Sequence, residues 1–146
     1  MSTRSAVQEA KRWAFDLLNA NAALIAIVPR IYVDQVQRES NGLGKFPYIL
    51  GNFMGGVDVP GLGTNRVQTR ADFQWRIVCE GPPTDDIRTA ETLMDDSLQT
   101  AVAQLSNGWY FSCRRVTPID RPEYDNVKTK RYSNLGGIYR LWIYKA

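Results

Sequence analysis

Histidine is absent from all 146 residues. Its absence removes the Ser-His and Cys-His nucleophile pairs and the histidine-bearing facial metal triad. Cysteine is nearly absent: Cys79 and Cys113 are the only two. Their spacing fits no zinc pattern, and both fall inside strand patterns, so packed thiols are expected instead of a bridge. No apolar run is long enough to span a bilayer, and the opening MSTRSAVQEAKRW has no apolar signal core. The chain is expected to stay in the cytoplasm where it is made, with no membrane partner. A dominant charge is lacking too, since 18 Lys and Arg oppose 15 Asp and Glu for a net +3. Such a mild excess does not mark a nucleic-acid binder unless it is gathered on one face.

What is present is ordinary globular material, 44% hydrophobic and 23% charged, expected to fold as one domain over residues 1–146. The strongest pattern is VQTRADFQWRIVCE at residues 67–80. Val67, Thr69, Ala71, Phe73, Trp75, Ile77 and Cys79 alternate with Gln68, Arg70, Asp72, Gln74, Arg76 and Glu80; Val78 is the exception. Alternation of this kind describes a β-strand with one buried and one wet face. The run is long for a strand, usually about five or six residues, so part of it is expected to project as the base of a hairpin arm.

Taken in order, residues 5–19 predict a helix capped by Ser5 or Ser2, with Val7, Ala10, Ala14, Leu17 and Leu18 inward and Trp13 beside them. Residues 22–28 predict a short helix stopped by Pro29. Strands are expected at 30–36 and 46–54, the latter entered at Pro47, with a polar loop at 37–45 between them. Residues 55–65, GGVDVPGLGTN, predict a long hairpin tip joining 46–54 to the central strand. They lack the Lys-Ser/Thr ending of a phosphate-cradling loop and lead into a strand, not a helix. After Gly81-Pro82-Pro83, Thr84 predicts a helix cap, with Asp85 and Asp86 in the first turn complementing the helix dipole. That helix is expected to reach Leu105, with Ile87, Ala90, Met94, Leu98, Ala101, Val102 and Leu105 inward, Asp95 and Asp96 solvated, and Asn107-Gly108 ending it. Strands at 109–116 and 136–146 flank a loop at 117–135. The last strand is apolar on both faces, which fits a central position or a partner-covered one. The fold class is α+β: a mainly antiparallel sheet of four to five strands with helices packed on one face, plus a projecting β-hairpin arm.

No catalytic constellation assembles from these pieces. A carboxylate site would draw on Asp34, Glu39, Asp58 and Asp72, which fall in turns or on polar strand faces where solvated carboxylates are ordinary. A nucleic-acid patch would draw on Arg114, Arg115, Arg121, Lys128, Lys130 and Arg131 with Tyr124 and Tyr132 for stacking. Asp120, Glu123 and Asp125 dilute it. Extended loops and an overlong strand suit docking and self-association instead.

The order of elements resembles the tail terminator (tail completion) proteins of long-tailed bacteriophages, of the lambda-like minor tail protein U type. The residues that carry the resemblance are the N-terminal helix, RIYVD at 30–34, FPYIL at 46–50, the Gly-rich stretch, the alternating strand at 66–80, the helix after Gly81-Pro82-Pro83, and GIYRLWIY at 137–144. The resemblance implies a homo-oligomeric ring, a hexamer, on the head-proximal end of the tail tube. Such a ring stops tube polymerisation and offers the head-joining surface, with the tail tube protein and a head-closure or connector protein as partners. DNA passes through its lumen without specific recognition. The resemblance implies no catalytic residue, cofactor or metal, and a place in the virion tail or neck after assembly in the host cytoplasm. Candidate contacts are then Val57, Asp58, Val59, Leu62, Asn65 and Arg66 in the first hairpin. Arg121, Tyr124, Lys128, Lys130, Arg131 and Tyr132 are the candidates in the second stretch. A head-closure or adaptor ring protein is the alternative within the same assembly, and a nucleic-acid-binding module the alternative outside it.

Overall fold

The computed structural model describes residues 6–34, 46–60, 66–99, 101–104, 108–124 and 130–145. The elements are α1 (Ala6–Asn19), α2 (Ala22–Ile27), β1 (Ile31–Val33), β2 (Tyr48–Pro60), β3 (Arg66–Glu80), α3 (Asp85–Leu98), β4 (Val102–Gln104), β5 (Trp109–Tyr124) and β6 (Arg131–Lys145). Six strands form one sheet in the order β1-β2-β3-β6-β5-β4. Only β1 and β2 run parallel; every other neighbouring pair is antiparallel. The sheet curls into a half-barrel with the helices on one face.

The alternation at residues 67–80 sets the core. Thr69, Ala71, Phe73, Trp75, Ile77 and Cys79 are buried, as the pattern requires, and Val78 is buried as well. On β6, Tyr139, Leu141 and Ile143 share that face. Against it pack Ala10, Trp13, Ala14 and Leu18 of α1 and Ile87, Ala90, Met94 and Leu98 of α3, with Trp13 stacked on Phe111 at 5.1 Å. Trp75 is only 1% exposed because glycine leaves room for it. A Cβ on Gly51 would stand 2.4 Å from its ring, and one on Gly136 would stand 2.0 Å from its carbonyl oxygen. Both cysteines are free and buried. The start of α3 is as the sequence indicates, with Thr84 accepting from the Ile87 N–H. α2 is capped by Asn21, which accepts from the Leu24 N–H, and the Ser2 and Ser5 cap candidates of α1 fall outside the described residues.

Four expectations need correction. Among the described residues the sheet has six strands, not four to five. The missing strand, β4, lies where the helical pattern was read through to Leu105. α3 ends at Leu98, and Gln99 is already extended (φ −65, ψ 125). The neighbouring strand captures the chain there: the Gln99 side chain accepts the Arg115 N–H, and the Ala101 carbonyl accepts the Cys113 N–H. Val102, assigned inward, is 77% exposed.

The glycine-rich stretch is not a loop as far as residue 60. β2 continues through it, paired with β3 from Gly55↔Asp72 to Pro60↔Arg66 after a bulge at Phe53/Gly55. Gly55 takes φ 152 beside that bulge. Likewise most of 117–135 is strand, with β5 and β6 paired out to Tyr124↔Arg131. Finally, little of the long strand projects: only residues 66–68 extend past the β6 pairing, paired with β2. β6 is as long as β3 (15 residues each) and lies along it from Thr69↔Ile143 to Glu80↔Tyr132. The helix-ending Asn107, Leu105, the hairpin tip at 61–65, the loop at 37–45 and the end of the first expected strand fall outside the described residues.

Candidate interaction surfaces

On the helix-covered face, one polar cluster interrupts the apolar packing. Asp95 accepts the Tyr139 hydroxyl at 2.8 Å and pairs with Arg115 at 3.3 Å, and Arg115 also meets Glu91 at 3.4 Å. Asp95 is therefore engaged, not solvated; Asp96 is exposed. Burial pushes the Glu91 carboxyl above its ordinary value despite the Arg115 charge. Burial, then the hydrogen bond to Asp95, drives the Tyr139 hydroxyl far above its usual range. Burial pushes the Cys113 thiol up to about 12. These groups are matched to each other and tie α3 to β5 and β6, which is a structural arrangement. A thiol held protonated is a poor nucleophile.

The opposite face of the sheet is half-exposed. Arg140 grips Asp72 through two bonds, 2.9 and 3.2 Å. Arg76 donates to Asn134 at 2.8 Å, and Asn134 to Glu123 at 3.2 Å. Tyr110 and Tyr144 stack at 4.7 Å. A groove of about 540 Å³ opens beside them, between Val102, Arg114, Val116, Arg140 and Trp142. No grouping of three or more His, Cys, Asp or Glu suited to a metal ion occurs among the described residues.

The carboxylates weighed for catalysis are not brought together. Asp34 pairs with Lys11 at 2.6 Å and Asp72 with Arg140 at 2.9 Å; Glu39 and the Asp58 side chain lie outside what is described. Nor do the basic residues form one patch. Arg115 is committed to the helix side, while Arg114 lines the groove on the other. Lys130 meets Glu80 at 3.5 Å, and the Tyr132 ring stacks on Phe46 at 5.2 Å.

The contact candidates fall into two sets at opposite ends of the sheet. Val57 is 49% exposed on β2. Asp58 and Val59 follow it in the strand, and Arg66 opens β3. Leu62 and Asn65 lie outside the described residues. Arg121, Tyr124, Lys130 and Arg131 are exposed at the far end, where Tyr132 pairs with Glu80; Lys128 is not described. At about 3.3 Å per residue, the β3 span from Arg66 to Glu80 separates the two hairpin ends by roughly 46 Å.

One feature of this surface was not anticipated. β1 covers β2 only from Ile49 to Gly51, and β4 covers β5 only from Tyr110 to Ser112. Beyond those points, among the described residues, no strand pairs with the outer side of β2 at 52–60 or of β5 at 116–124. The signal in the sequence was Pro118 and Pro122, four apart in a run that is otherwise strand-like. Two prolines are compatible with a strand whose outer side is bare.

No protein-family model matches the sequence, and no curated protein does. Among solved structures the chain is similar to one in the "Virion of native gene transfer agent (GTA) particle". The TM-score is 0.63 at 18% identity, over 90% of this chain and 91% of that one. At that identity the likeness is one of fold. No helix among the described residues is long and apolar enough to cross a membrane.

Proposed function

We propose that the chain is a structural virion protein of the tail terminator type. In this reading it forms a ring on the head-proximal end of a tail tube, halts tube growth and presents the surface that joins the head. The observation that carries the reading is the fold shared along nine-tenths of both chains with a protein of a phage-like virion. The element order that resembles tail terminators supports the finer assignment.

The surface chemistry suits this role. Termination needs one end complementary to the tube subunit and another that is not, so that growth stops. The two hairpin ends, roughly 46 Å apart by strand rise, differ in character. The first carries Val57 and, in sequence, a glycine-rich stretch, and the second Arg121, Tyr124, Lys130 and Arg131. Partners on this reading are further copies of the chain, the tail tube protein and a head-side connector protein. DNA crosses the lumen without being read, and no cofactor takes part.

The test is to disrupt the gene in a particle-producing strain and image the lysate. The reading expects tails of unregulated length, detached from DNA-filled heads, and restoration by the intact gene. Free tails of normal length beside filled heads would move the protein to the head-closure position instead. Complete particles lacking the protein would remove it from the assembly pathway.

A further inference from the structure

Among the described residues the sheet is bare along two diagonally opposite corners, and the two bare edges are complementary. β1 shields β2 near the end of the sheet where Ile49 pairs with Ile77, leaving 52–60 open towards the other end. β4 shields β5 at Tyr110, beside Tyr144, leaving 116–124 open towards the Glu80 end. Because β2–β3, β3–β6 and β6–β5 are each antiparallel, β2 and β5 run in opposite directions. A copy laid alongside in the same sense, and displaced along the strands so that its Glu80 end meets this Arg66 end, therefore sets the bare part of its β5 antiparallel to the bare part of this β2.

The direction of the main-chain groups can be followed along each edge. On β2, the Ile49 N–H and the Gly51 carbonyl point outward, since they bond Arg30 and Asp34. Alternation continues to Phe53, and the bulge at Phe53/Gly55 then moves the outward positions to Gly56 and Asp58. On β5, the Cys113 and Arg115 N–H groups point outward, to Ala101 and Gln99. The bulge at Arg115/Thr117 shifts the outward positions to Pro118, Asp120, Pro122 and Tyr124. Both prolines thus stand where an N–H would face outward. The β5 edge offers carbonyls along its length but donors only at Asp120 and Tyr124. Two β5 edges together would be short of donors. A β5 edge against a β2 edge is not, because β2 supplies them.

Side chains agree with this match. Phe53, Met54 and Val57 on the β2 edge, and Val116 and Tyr124 on the β5 edge, are large apolar groups left exposed. β5 is guarded by proline and by Asp120, Arg121 and Glu123; β2 carries no such guard before Asp58.

The geometry points to strand addition between copies: the bare edge of β2 receives the bare edge of β5 from a second copy of this chain, continuing the sheet across the interface. The contact is head-to-tail, so each copy uses both edges; with the strands inclined to the ring axis, which takes up the displacement along them, a closing rotation makes a ring. This deepens the ring reading above, yet the two fail separately.

Two full-length variants test it. Met54→Lys with Asp58→Pro blocks the β2 edge and leaves β5 intact. Asp120→Pro removes the donor between the two prolines of β5 and leaves β2 intact. Circular dichroism and melting confirm that each is folded, and native mass spectrometry reads the assembly. The expectation is that the wild type forms closed oligomers, that each variant alone is monomeric, and that an equimolar mixture gives one-to-one heterodimers and stops there. Self-association of the β5-blocked variant without heterodimers would mean β2 pairs with β2, overturning the proposal. Unchanged oligomers in both variants would overturn the edge contact while leaving a ring in place. A wild type that stays monomeric would overturn it too, since this contact needs no third component.

Discussion

At the scale of single residues, the account rests on Trp75. Its ring lies on the helix-facing side of β3 with Gly51 leaving it room and Gly136 admitting the close approach of its backbone, and its side was legible from alternation alone. Trp75→Asp exchanges a large buried ring for an unpaired charge, a loss above about 5 kcal/mol that exceeds or consumes the stability of an ordinary domain. The variant should be insoluble or unfolded by circular dichroism; a soluble, cooperatively melting protein would mean the faces are reversed. What alternation did not reveal is Asp95, which lies off the apolar stripe of α3 yet receives Tyr139 and Arg115. Its partners come from strands distant in sequence, so helical phasing carried no trace of them.

Cys113 gives a second residue-scale test. Burial holds its thiol at about 12 against an ordinary 9.0, and Tyr139 is raised as well. An acid whose folded value is raised keeps its proton in the native state after the unfolded chain has released it. Its contribution is therefore complete below the unfolded value and is lost as pH climbs from 9 towards 12. Chemical denaturation should show stability falling across that window, by at most about 1.4 kcal/mol per pH unit for each such group. Cys113→Ala should make the decline shallower; an identical slope would contradict the burial argument.

At the scale of elements, the sequence was most readable where a strand is buried on one side and least where it lies at an edge. β3 was legible because one face meets the core and the other meets water. β4 was not, because three residues carry no period and are held by pairing with β5, which also bonds the preceding Gln99 and Ala101. The outer halves of β2 and β5 were read as loops because glycine and proline usually mark turns. Here glycine fits a bulge and a close backbone approach: a Cβ on Gly56 would meet the Arg70 carbonyl oxygen at 2.7 Å. Proline fits an outward-facing position on a bare edge. It follows that Pro118→Thr with Pro122→Thr should leave the fold and melting temperature nearly unchanged while adding outward donors to β5. Light scattering of the concentrated variant should show irregular aggregation that the wild type lacks; a variant that scatters no more than wild type would deny the prolines a guarding role.

At the scale of the whole molecule, the sheet is closed by helices on one side, half-open on the other and, among the described residues, bare at two corners. No carboxylate or thiol in the described residues is poised for chemistry, and the polar clusters bond one another. Among the described residues the outward features are two hairpin ends, two strand edges and several exposed large apolar side chains, while two buried nitrogens, Trp75 Nε1 and Arg76 Nε, have no hydrogen-bond partner. The fold is similar to that of a chain in a gene transfer agent virion, and the proposed reading as a ring at the end of a tail tube turns those outward features into contacts. Cryo-electron microscopy of intact particles, with this chain fitted into the density at the junction of tail and head, tests that reading most directly. The account predicts a single closed ring of copies at the head-proximal end of the tube, with β2 of each copy beside β5 of the next. Isolated copies, or density for this chain at any other level of the particle, would contradict it.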